Sequence, residues 1–453
     1  MARFMIAGAH KSSGKTVVST GLAGALAARG DVVQCFKKGP DYIDPMWLAA
    51  ASRRPCYNLD FNTMPAAEFT ALMCDRARGA DISLIEANKG LYDGVKLDGT
   101  DANSALAMLT QTPVVLVIDT NGMTRGIAPL LRGYQVFDDV NIAGVILNKV
   151  GGPRHEGKLR AAVEEYTDIP VIGAVGRNPA LDIGERHLGL TTPSETAHLD
   201  TKIAEISRII GSQVDLEHLT RIAATAPALD AAPLPEIKAR FNGLRIGYAR
   251  DRAFGFYYAD DLEAFAAMGA ELVPFNALVD GALPDVDGLF LGGGFPETQM
   301  AALSANTTLR AQIKQALENG MPCYAECGGL MYLCRSMAWG SQTYEMCDVV
   351  GADAVMCARP QGRGLVRYTT TPDHIWAPRQ GVATAHEFHY ARLENLDADT
   401  RFGRNLSRGH GIDGQRDGIV TGNLLAGFCH QRNSQGNPWV ARFLEFVQRV
   451  KTG

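Results

Sequence analysis

The feature that most constrains the fold is a glycine-rich loop near the N-terminus, placed between two segments of different character. The loop reads Gly8-Ala-His-Lys-Ser-Ser-Gly14-Lys15-Thr16, with five residues between its glycines where the common phosphate-binding loop has four. Residues 4–7 before it form a β-rich apolar run, and residues 17–29 after it are rich in Ala, Leu and Gly. Because such a loop presents its N–H groups between a strand and a helix, it predicts an α/β domain.

Each residue type in this loop has a chemical reason for its place. Glycines let the backbone wrap phosphate groups, the lysine reaches the β and γ oxygens, and the threonine hydroxyl binds Mg²⁺. We therefore predict an ATP and Mg²⁺ site made by Gly8, Ser12, Ser13, Gly14, Lys15 and Thr16. The alternative, a Gly/Ser-rich turn that contains Gly-Lys-Thr by coincidence, leaves the order of strand, loop and helix unexplained. The wide loop resembles that of dethiobiotin synthetase and its relatives, which phosphorylate a carboxylate or carbamate.

Acidic side chains follow two further strand-like runs and are candidates for holding the metal ion. Asp41 and Asp44 come after residues 32–36, and Glu86 ends residues 82–86. Open α/β sheets bind ligands at the carboxyl ends of their strands, so these carboxylates are predicted to bridge Mg²⁺ and phosphate. The alternative for any one Asp here is a turn residue.

Asn148 ends another apolar run, residues 143–148. An amide at the end of a strand can read the adenine edge of a nucleotide, and we predict that role for it. The alternative is that Asn148 forms a turn as the chain leaves the strand.

Two α/β patterns follow one another along the chain. In the first, strand-like runs alternate with helix-length segments, as in a mostly parallel sheet: residues 4–7, 32–36, 82–86, 114–119, 143–148 and 171–175. In the second, the runs are residues 244–249, 271–275, 288–291 and 322–325, with helices at 260–268 and 309–318. Composition around residues 223–236 is typical of a linker. We predict a P-loop ATP- and substrate-binding domain at 1–212, a linker at 213–243 and a second α/β domain at 244–453.

One cysteine has the surroundings of a catalytic nucleophile. The segment Met321-Pro-Cys-Tyr-Ala-Glu-Cys327-Gly-Gly-Leu-Met-Tyr-Leu-Cys334 predicts a strand, a sharp turn and a helix, with Cys327 at the turn. Ala325 before it and Gly328 and Gly329 after it are small, as a strained nucleophile elbow requires. The other eight cysteines lack this context.

A nucleophilic cysteine needs a base and a group that stabilises the oxyanion. His430, after an apolar run near the C-terminus, is the predicted base, and His386 and His389 are the competing candidates. The glycine run after residues 288–291 offers backbone N–H groups. We predict that the oxyanion or glutamine contacts come from Gly292, Gly293, Gly294 and Gly328.

Composition excludes several classes of protein. The net charge of −5 gives no basic excess for nucleic acid. No stretch approaches the roughly 18–20 apolar residues of a membrane helix, and nine scattered cysteines without a C-x-x-C pair fit a reducing compartment. We expect a cytoplasmic protein that binds neither nucleic acid nor membrane, and a homodimer is compatible with the sequence.

The whole chain resembles the cobyrinic acid a,c-diamide synthase family. The first half carries Ser12-Ser-Gly-Lys-Thr16, Lys38-Gly-Pro-Asp-Tyr-Ile-Asp-Pro45 and Gly90-Leu-Tyr-Asp-Gly94. The second half carries Ala249-Arg-Asp-Arg-Ala-Phe-Gly-Phe-Tyr-Tyr258, Gly292-Gly-Gly-Phe-Pro-Glu297, Ala325-Glu-Cys-Gly-Gly329 and His386-Glu-Phe-His-Tyr390. Several segments in the same order across both halves make the resemblance specific.

The resemblance implies ATP- and glutamine-dependent amidation of the a and c carboxylates of a corrin-type tetrapyrrole, with an acyl-phosphate intermediate. It implies a dethiobiotin-synthetase-like domain followed by a class I glutamine amidotransferase domain of flavodoxin-like α/β type, with Cys327 as nucleophile and His430 as its partner. The resemblance also implies that the usual acidic third member is lacking, and Arg432, two residues after His430, fits that expectation. Substrate-contacting candidates in the matching motifs are Lys38, Tyr42, Tyr92, Asp93 and Tyr257.

Two segments depart from the family pattern. Glu86-Ala-Asn-Lys-Gly-Leu91 stands where Glu-Gly-x-x-Gly-Leu is usual, and the segment after His430 differs from the usual His-x-His form. The same chemistry on sirohaem or another sirohydrochlorin derivative is therefore an alternative. More distant alternatives are a P-loop regulatory ATPase and a fusion with an inactive glutaminase domain.

Overall fold

The computed structural model describes residues 1–186, 189–376 and 381–453. This part of the chain forms two compact units. The first comprises residues 1–61 and 65–234, and the second comprises residues 62–64 and 235–453.

The first unit contains a seven-stranded parallel sheet covered by helices and a short antiparallel pair, β8-β9. Its strands are β1 (Arg3–Gly8), β2 (Val33–Lys38), β3 (Tyr57–Leu59), β4 (Ile82–Gly90), β5 (Val114–Asp119), β6 (Ile142–Val150), β7 (Val171–Gly176), β8 (Glu185–Arg186) and β9 (Gly189–Leu190). Its helices are α1 (Lys15–Ala28), α2 (Ile43–Ser52), α3 (Ala66–Arg76), α4 (Asn103–Leu109), α5 (Ile127–Phe137), α6 (Pro153–Tyr166), α7 (Leu199–Gln213) and α8 (Leu216–Ala224).

The first seven of these strands form one sheet in the order β3-β2-β4-β1-β5-β6-β7. Its central residues, among them Phe4, Leu84 and Val115, have no exposed surface, because helices cover both faces of a parallel sheet. The six strands expected in this half are confirmed, and the short strand β3 was not predicted. The irregular part of the predicted linker is shorter than expected, because it contains helix α8, whose Leu219, Ile222 and Ala223 are buried.

The second unit contains a large mixed sheet. Its strands are β10 (Arg245–Ala249), β11 (Phe254–Phe256), β12 (Glu271–Phe275), β13 (Gly288–Leu291), β14 (Gly293–Gly294), β15 (Cys323–Glu326), β16 (Cys334–Trp339), β17 (Gln342–Glu345), β18 (Val350–Met356), β19 (Gly362–Thr370), β20 (Ala383–His389), β21 (Ala391–Glu394), β22 (Arg401–Arg408), β23 (Arg416–Thr421) and β24 (Leu424–Gly427). Its helices are α9 (Ala259–Ala267), α10 (Met300–Ala305), α11 (Thr307–Glu318), α12 (Gly328–Leu333) and α13 (Trp439–Thr452).

In the described residues the large sheet has the order β12-β10-β13-β15-β24-β23-β22-β19-β20. The pairs from β12 to β24 are parallel, and those from β24 to β20 are antiparallel. The four predicted strands of this half all lie in the parallel part and are confirmed, as is the α/β fold class. The antiparallel part and a smaller sheet, β17-β16-β18-β21, were not predicted.

This topology places candidate residues at common edges. In the second unit, β13, β15 and β24 are parallel neighbours, so the segments that follow them meet at one edge of the sheet. In the first unit, β4, β1 and β5 are also parallel neighbours, so the glycine-rich loop after β1 lies at the same edge as the segments that follow β4 and β5. None of the helices in the described residues is long and apolar enough to cross a membrane.

Candidate active sites

The glycine-rich loop lies between β1 and α1, as predicted. Ser12 and Gly14 have positive φ angles of 66° and 88°. Gly14 is required here, because a Cβ atom would lie 2.1 Å from Asn148 Nδ2. The Ser13 hydroxyl donates to the His10 carbonyl at 2.7 Å and fixes the turn. A Cβ atom on Gly8 would lie 3.1 Å from Lys15 Nζ, so the lysine ammonium lies over the end of β1.

Asn148 supports this loop directly. Its Nδ2 donates to the Ser13 carbonyl at 2.8 Å, and its Oδ1 accepts the Lys149 N–H at 2.9 Å. The side chain is 7% exposed. The contact with the loop was not predicted, and the adenine-reading role remains a prediction.

A buried lysine gathers the three predicted metal-binding carboxylates. Lys37 Nζ lies 2.6 Å from Asp44 Oδ2, 2.8 Å from Glu86 Oε1 and 3.7 Å from Asp41 Oδ2. Lys37 and Glu86 are direct partners in the pairing of β2 with β4. Burial would lower the pKa of Lys37, but the carboxylates raise it well above its ordinary value, so the side chain is a cation. The sequence analysis did not name Lys37, although a lysine directly after a predicted strand and near acidic residues was a usable signal.

The residues around Glu86 suit a magnesium ion. Thr16 Oγ1 donates to Glu86 Oε1 at 3.0 Å, and Glu86 Oε2 is buried with no hydrogen-bond partner among the residues that the structure describes. Burial raises the pKa of Glu86 to about 7, and a metal ion beside Oε2 would add to the charge that Lys37 supplies at Oε1. The described residues contain no cluster of three His, Cys, Asp or Glu side chains arranged for a metal. Nucleotide oxygens and water would complete the coordination, as Mg²⁺ commonly requires.

The predicted substrate residues of the first unit surround the ends of β2 and β4. Lys38 Nζ donates to the Asp101 carbonyl at 2.6 Å, and Tyr42 is 9% exposed at the start of α2. Tyr92 donates to the Tyr134 carbonyl at 2.5 Å, and Asp93 Oδ2 accepts the Gly90 N–H at 3.0 Å. These contacts shape the loop after β4, and contact with a substrate remains a prediction.

Cys327 adopts the strained conformation expected of a nucleophile elbow. Its φ and ψ angles are 49° and −103°, in the turn between β15 and α12. Glycines are required beside it: a Cβ atom on Gly328 would lie 2.9 Å from Pro296 Cδ, and one on Gly329 would lie 2.2 Å from the Leu291 carbonyl oxygen. The predicted strand, turn and helix are therefore confirmed.

His430 lies three residues after β24, beside Cys327. It is 2% exposed. Burial alone would lower the pKa of His430, but the hydrogen bonds with Cys327 and Glu326 raise it to about 10. The imidazole is therefore protonated at neutral pH, and a positive charge stands beside the thiol.

The two competing histidines have other contacts. The His386 ring stacks on His430 with centroids 4.9 Å apart, and its Nδ1 lies 3.2 Å from the Tyr258 hydroxyl. Burial, followed by the charges of His430 and Arg432, places the pKa of His386 well below its ordinary value. His389 Nδ1 bonds to the Ala391 carbonyl at 2.8 Å. Of the three histidines, the geometry thus favours His430 as the partner of Cys327.

An acidic residue does accompany His430, contrary to the expectation from the sequence. Glu326 Oε2 lies 3.4 Å from His430 Nδ1, and both side chains are at most 3% exposed. Arg432, which occupies the position where an acid was sought, pairs with Asp260 at 2.6 Å. Glu326 was overlooked because it lies directly before the nucleophile and not after the histidine.

Three of the four glycines predicted to contact the oxyanion lie around Cys327 and His430. A Cβ atom on Gly293 would lie 2.7 Å from His430 Cε1, and one on Gly328 would lie 3.1 Å from the Gly294 nitrogen. The Gly292 N–H instead donates to the Tyr257 hydroxyl at 3.0 Å, so it is already engaged. Tyr257 in turn donates to the Ala249 carbonyl at 2.6 Å. The structure thus assigns Gly292 and Tyr257 to the support of the glycine run.

Comparison with known proteins defines the class of each half. Residues 4–190 match the family model described as a CobQ/CobB/MinD/ParA nucleotide binding domain. Residues 245–438 match the family model described as a CobB/CobQ-like glutamine amidotransferase domain. A nucleotide-binding domain is thus joined to a glutamine amidotransferase domain.

Full-length relatives identify the family. The "Cobyrinate a,c-diamide synthase" of Magnetococcus marinus is 42% identical over 97% of this chain and 97% of its own. The proteins of that name from Methanosarcina acetivorans and Listeria monocytogenes are 38% and 36% identical, over 94% and 99% of this chain and 92% and 100% of theirs. The chain belongs to the cobyrinate a,c-diamide synthase family of glutamine-dependent amidating ligases.

Proposed function

We propose that this enzyme converts the a and c side-chain carboxylates of a corrin-type tetrapyrrole, cobyrinic or hydrogenobyrinic acid, into amides. The observation that carries the proposal is the presence in one chain of two complete candidate sites. One is the Cys327–His430 elbow, and the other is the loop that contains Lys15 with its neighbouring carboxylates. Relatives named for this reaction match the chain over nearly its whole length.

The cysteine site would release ammonia from glutamine. The Cys327 sulfur attacks the glutamine γ-carboxamide carbon, and the carbonyl oxygen accepts N–H groups of the glycine run at Gly293 and Gly294 or of Gly328. His430 donates its proton to the departing amino group, which leaves as ammonia. Water then cleaves the thioester, giving glutamate and restoring the thiol.

The nucleotide site would activate the substrate carboxylate. A carboxylate oxygen attacks the γ-phosphorus of ATP, ADP leaves, and an acyl phosphate forms. Ammonia then attacks the acyl carbon and releases phosphate, leaving the amide. Lys15 would hold the β and γ oxygens, and the loop glycines would supply N–H donors. Thr16 and Glu86 would hold a Mg²⁺ ion, which when bound neutralises charge on the phosphates.

A ring of sirohaem type is the second candidate substrate. The segment after Glu86 favours this ring as an alternative, because Ala87 stands where the family usually has glycine. Lys89 is exposed, with a positive φ angle of 43°, and a Cβ atom on Gly39 would lie 2.8 Å from Asn88 Nδ2. This segment lies beside the Lys38 motif, where the substrate carboxylate is expected.

Mass spectrometry can distinguish the candidate rings. The enzyme is incubated with ATP, glutamine and each macrocycle in turn: cobyrinic acid, hydrogenobyrinic acid and sirohaem. We expect two carboxyl groups of each corrin substrate to exchange OH for NH₂, so the product mass falls by that difference twice. One ADP should form per amide. A shift of sirohaem but not of the corrins would replace the proposed ring. ATP hydrolysis with no amidation of any ring would favour a regulatory ATPase.

A further inference from the structure

The carboxylate of Glu326 is buried, and its two oxygens have different partners. Oε2 lies 3.4 Å from His430 Nδ1. Oε1 accepts the Gln431 N–H at 2.8 Å and the Tyr324 hydroxyl at 2.5 Å. Glu326 is 2% exposed, and a carboxylate at this depth persists only if it is paired and hydrogen-bonded. Two donors and an imidazolium meet that requirement.

The strand arrangement explains why this carboxylate reaches the histidine. Residues two apart on a strand share a face, so Tyr324 and Glu326 lie on the same side of β15. Glu326 is the direct partner of Gly427 at the end of β24, and His430 follows three residues later. The elbow at Cys327 then turns the chain away, so that residues 326 and 327 both contact the imidazole.

A second layer of buried groups holds Glu326 in place. Arg404 has no exposed surface; its NH2 lies 3.4 Å from the Tyr324 hydroxyl, and its NH1 lies 3.2 Å from Asp417 Oδ2. On the other side, Tyr368 donates to Gln431 Oε1 at 2.6 Å and fixes the residue whose N–H reaches Glu326. Burial raises the pKa of Tyr324 well above its ordinary value, so its hydroxyl stays a donor.

We propose that Glu326 is the acidic member of a Cys–His–Glu triad in which the acid directly precedes the nucleophile, and that it acts as a positioning residue for His430. By accepting the Nδ1 proton, Glu326 would fix the ring orientation and leave Nε2 to the Cys327 thiol. Its charge also favours the imidazolium that donates to the leaving amino group. The inference rests on the proposed glutaminase activity.

The test replaces the carboxylate with an amide of the same shape. In Glu326→Gln we expect kcat for glutamine hydrolysis to fall about 100-fold, with KM for glutamine within about twofold, because orientation and charge are lost but glutamine contacts are kept. Amidation driven by added ammonium chloride should stay at the wild-type rate. The pH profile of Cys327 alkylation by iodoacetamide should shift, since His430 loses a group that favours its protonated form. Glu326→Asp should recover part of the activity.

A matched control comes from the same sheet. Glu387 is also 2% exposed, and it accepts the N–H groups of His410 and Gly411 at 2.6 and 2.8 Å, beside His389. Glu387→Gln should leave glutamine hydrolysis unchanged. Equal losses in Glu387→Gln and Glu326→Gln, or wild-type hydrolysis and an unshifted alkylation profile in Glu326→Gln, would overturn the inference.

The wild-type protein offers a second measurement that does not depend on how the variants fold. A carboxylate-bonded Nδ1 proton gives a low-field ¹H NMR signal, which should be present at neutral pH and absent in His430→Gln. Its absence from the wild-type spectrum would contradict the triad. The proposed function fails separately, if Cys327→Ala still hydrolyses glutamine.

Discussion

The ammonium group of Lys37 lies 2.8 Å from Glu86 Oε1, and neither side chain is more than 1% exposed. Asp44 Oδ2 lies 2.6 Å from the same ammonium, so a single cation neutralises carboxylates from two segments of the chain. Because Lys37 and Glu86 are direct partners on adjacent strands, the pairing fixes the end of the sheet beside the phosphate loop.

Removing this cation should therefore destabilise the first unit. Lys37→Met leaves the buried Glu86 carboxylate without its cation, which typically costs about 3–5 kcal/mol. We expect faster hydrogen exchange in peptides from β2 and β4, loss of ATP-dependent amidation, and continued glutamine hydrolysis by the second unit. Exchange measured by mass spectrometry tests this directly. The double variant Lys37→Met/Glu86→Gln should recover protection but not amidation, and unchanged exchange in Lys37→Met would contradict the assignment.

Asn148 should affect nucleotide affinity through the loop. In Asn148→Ala the Ser13 carbonyl loses its donor, a change worth about 1–2 kcal/mol, or roughly tenfold in affinity. Isothermal titration with ATP measures the effect. Asn423→Ala is a matched control, since Asn423 Nδ2 donates to the Gly320 carbonyl at 2.6 Å in the other unit. Equal ATP affinity in the two variants would show that Asn148 does not support the nucleotide site.

Gly293 should be intolerant of any side chain. In Gly293→Ala the new Cβ would lie 2.7 Å from His430 Cε1 and displace the imidazole. We expect glutamine hydrolysis to fall by at least about 100-fold, while amidation with ammonium chloride continues. Gly281→Ala, where a Cβ atom meets nothing within 4 Å, serves as the control and should be silent. Activity in Gly293→Ala close to that of Gly281→Ala would refute this geometry.

The charge on His430 predicts a dependence of stability on pH. Burial opposes protonation, but Cys327 and Glu326 raise the pKa of His430 to about 10, above an unfolded value of about 6.5. This group therefore stabilises the folded state fully below about pH 6.5, and the contribution is lost as pH rises towards 10. Thermal unfolding between pH 7 and 10 should show a steeper decline for the wild type than for His430→Gln. Parallel curves would be the contradicting result.

Much of the fold was predictable because its signals are local. The buried runs that became β1, β4 and β5 are continuous in sequence, as both-face burial demands. The phosphate loop and the cysteine elbow each need glycine at fixed positions beside a strand end, so their residues could be named in advance. In contrast, β19 and β22 mix buried and exposed residues without a continuous apolar run, and they pair antiparallel with each other from distant parts of the sequence, so their sequence pattern is weaker.

The missed site residues depend on which strands are neighbours. Lys37 and Glu86 are 49 positions apart, and Glu326 and Gln431 are 105 apart. The sequence does not show that β2 lies beside β4 or that β15 lies beside β24, so neither the pairing of Lys37 with Glu86 nor the acid behind His430 could be derived. The search for that acid two residues after the histidine also led to Arg432, which instead binds Asp260.

The central claim is that one chain makes ammonia at Cys327 and uses it at a separate ATP site. Amidation of the macrocycle by Cys327→Ala, measured by mass spectrometry with ATP and either glutamine or ammonium chloride, tests it most directly. We predict no product with glutamine and wild-type amounts with ammonium chloride. Glutamine-dependent amidation by Cys327→Ala, or no amidation from either nitrogen source in a folded variant, would contradict the account.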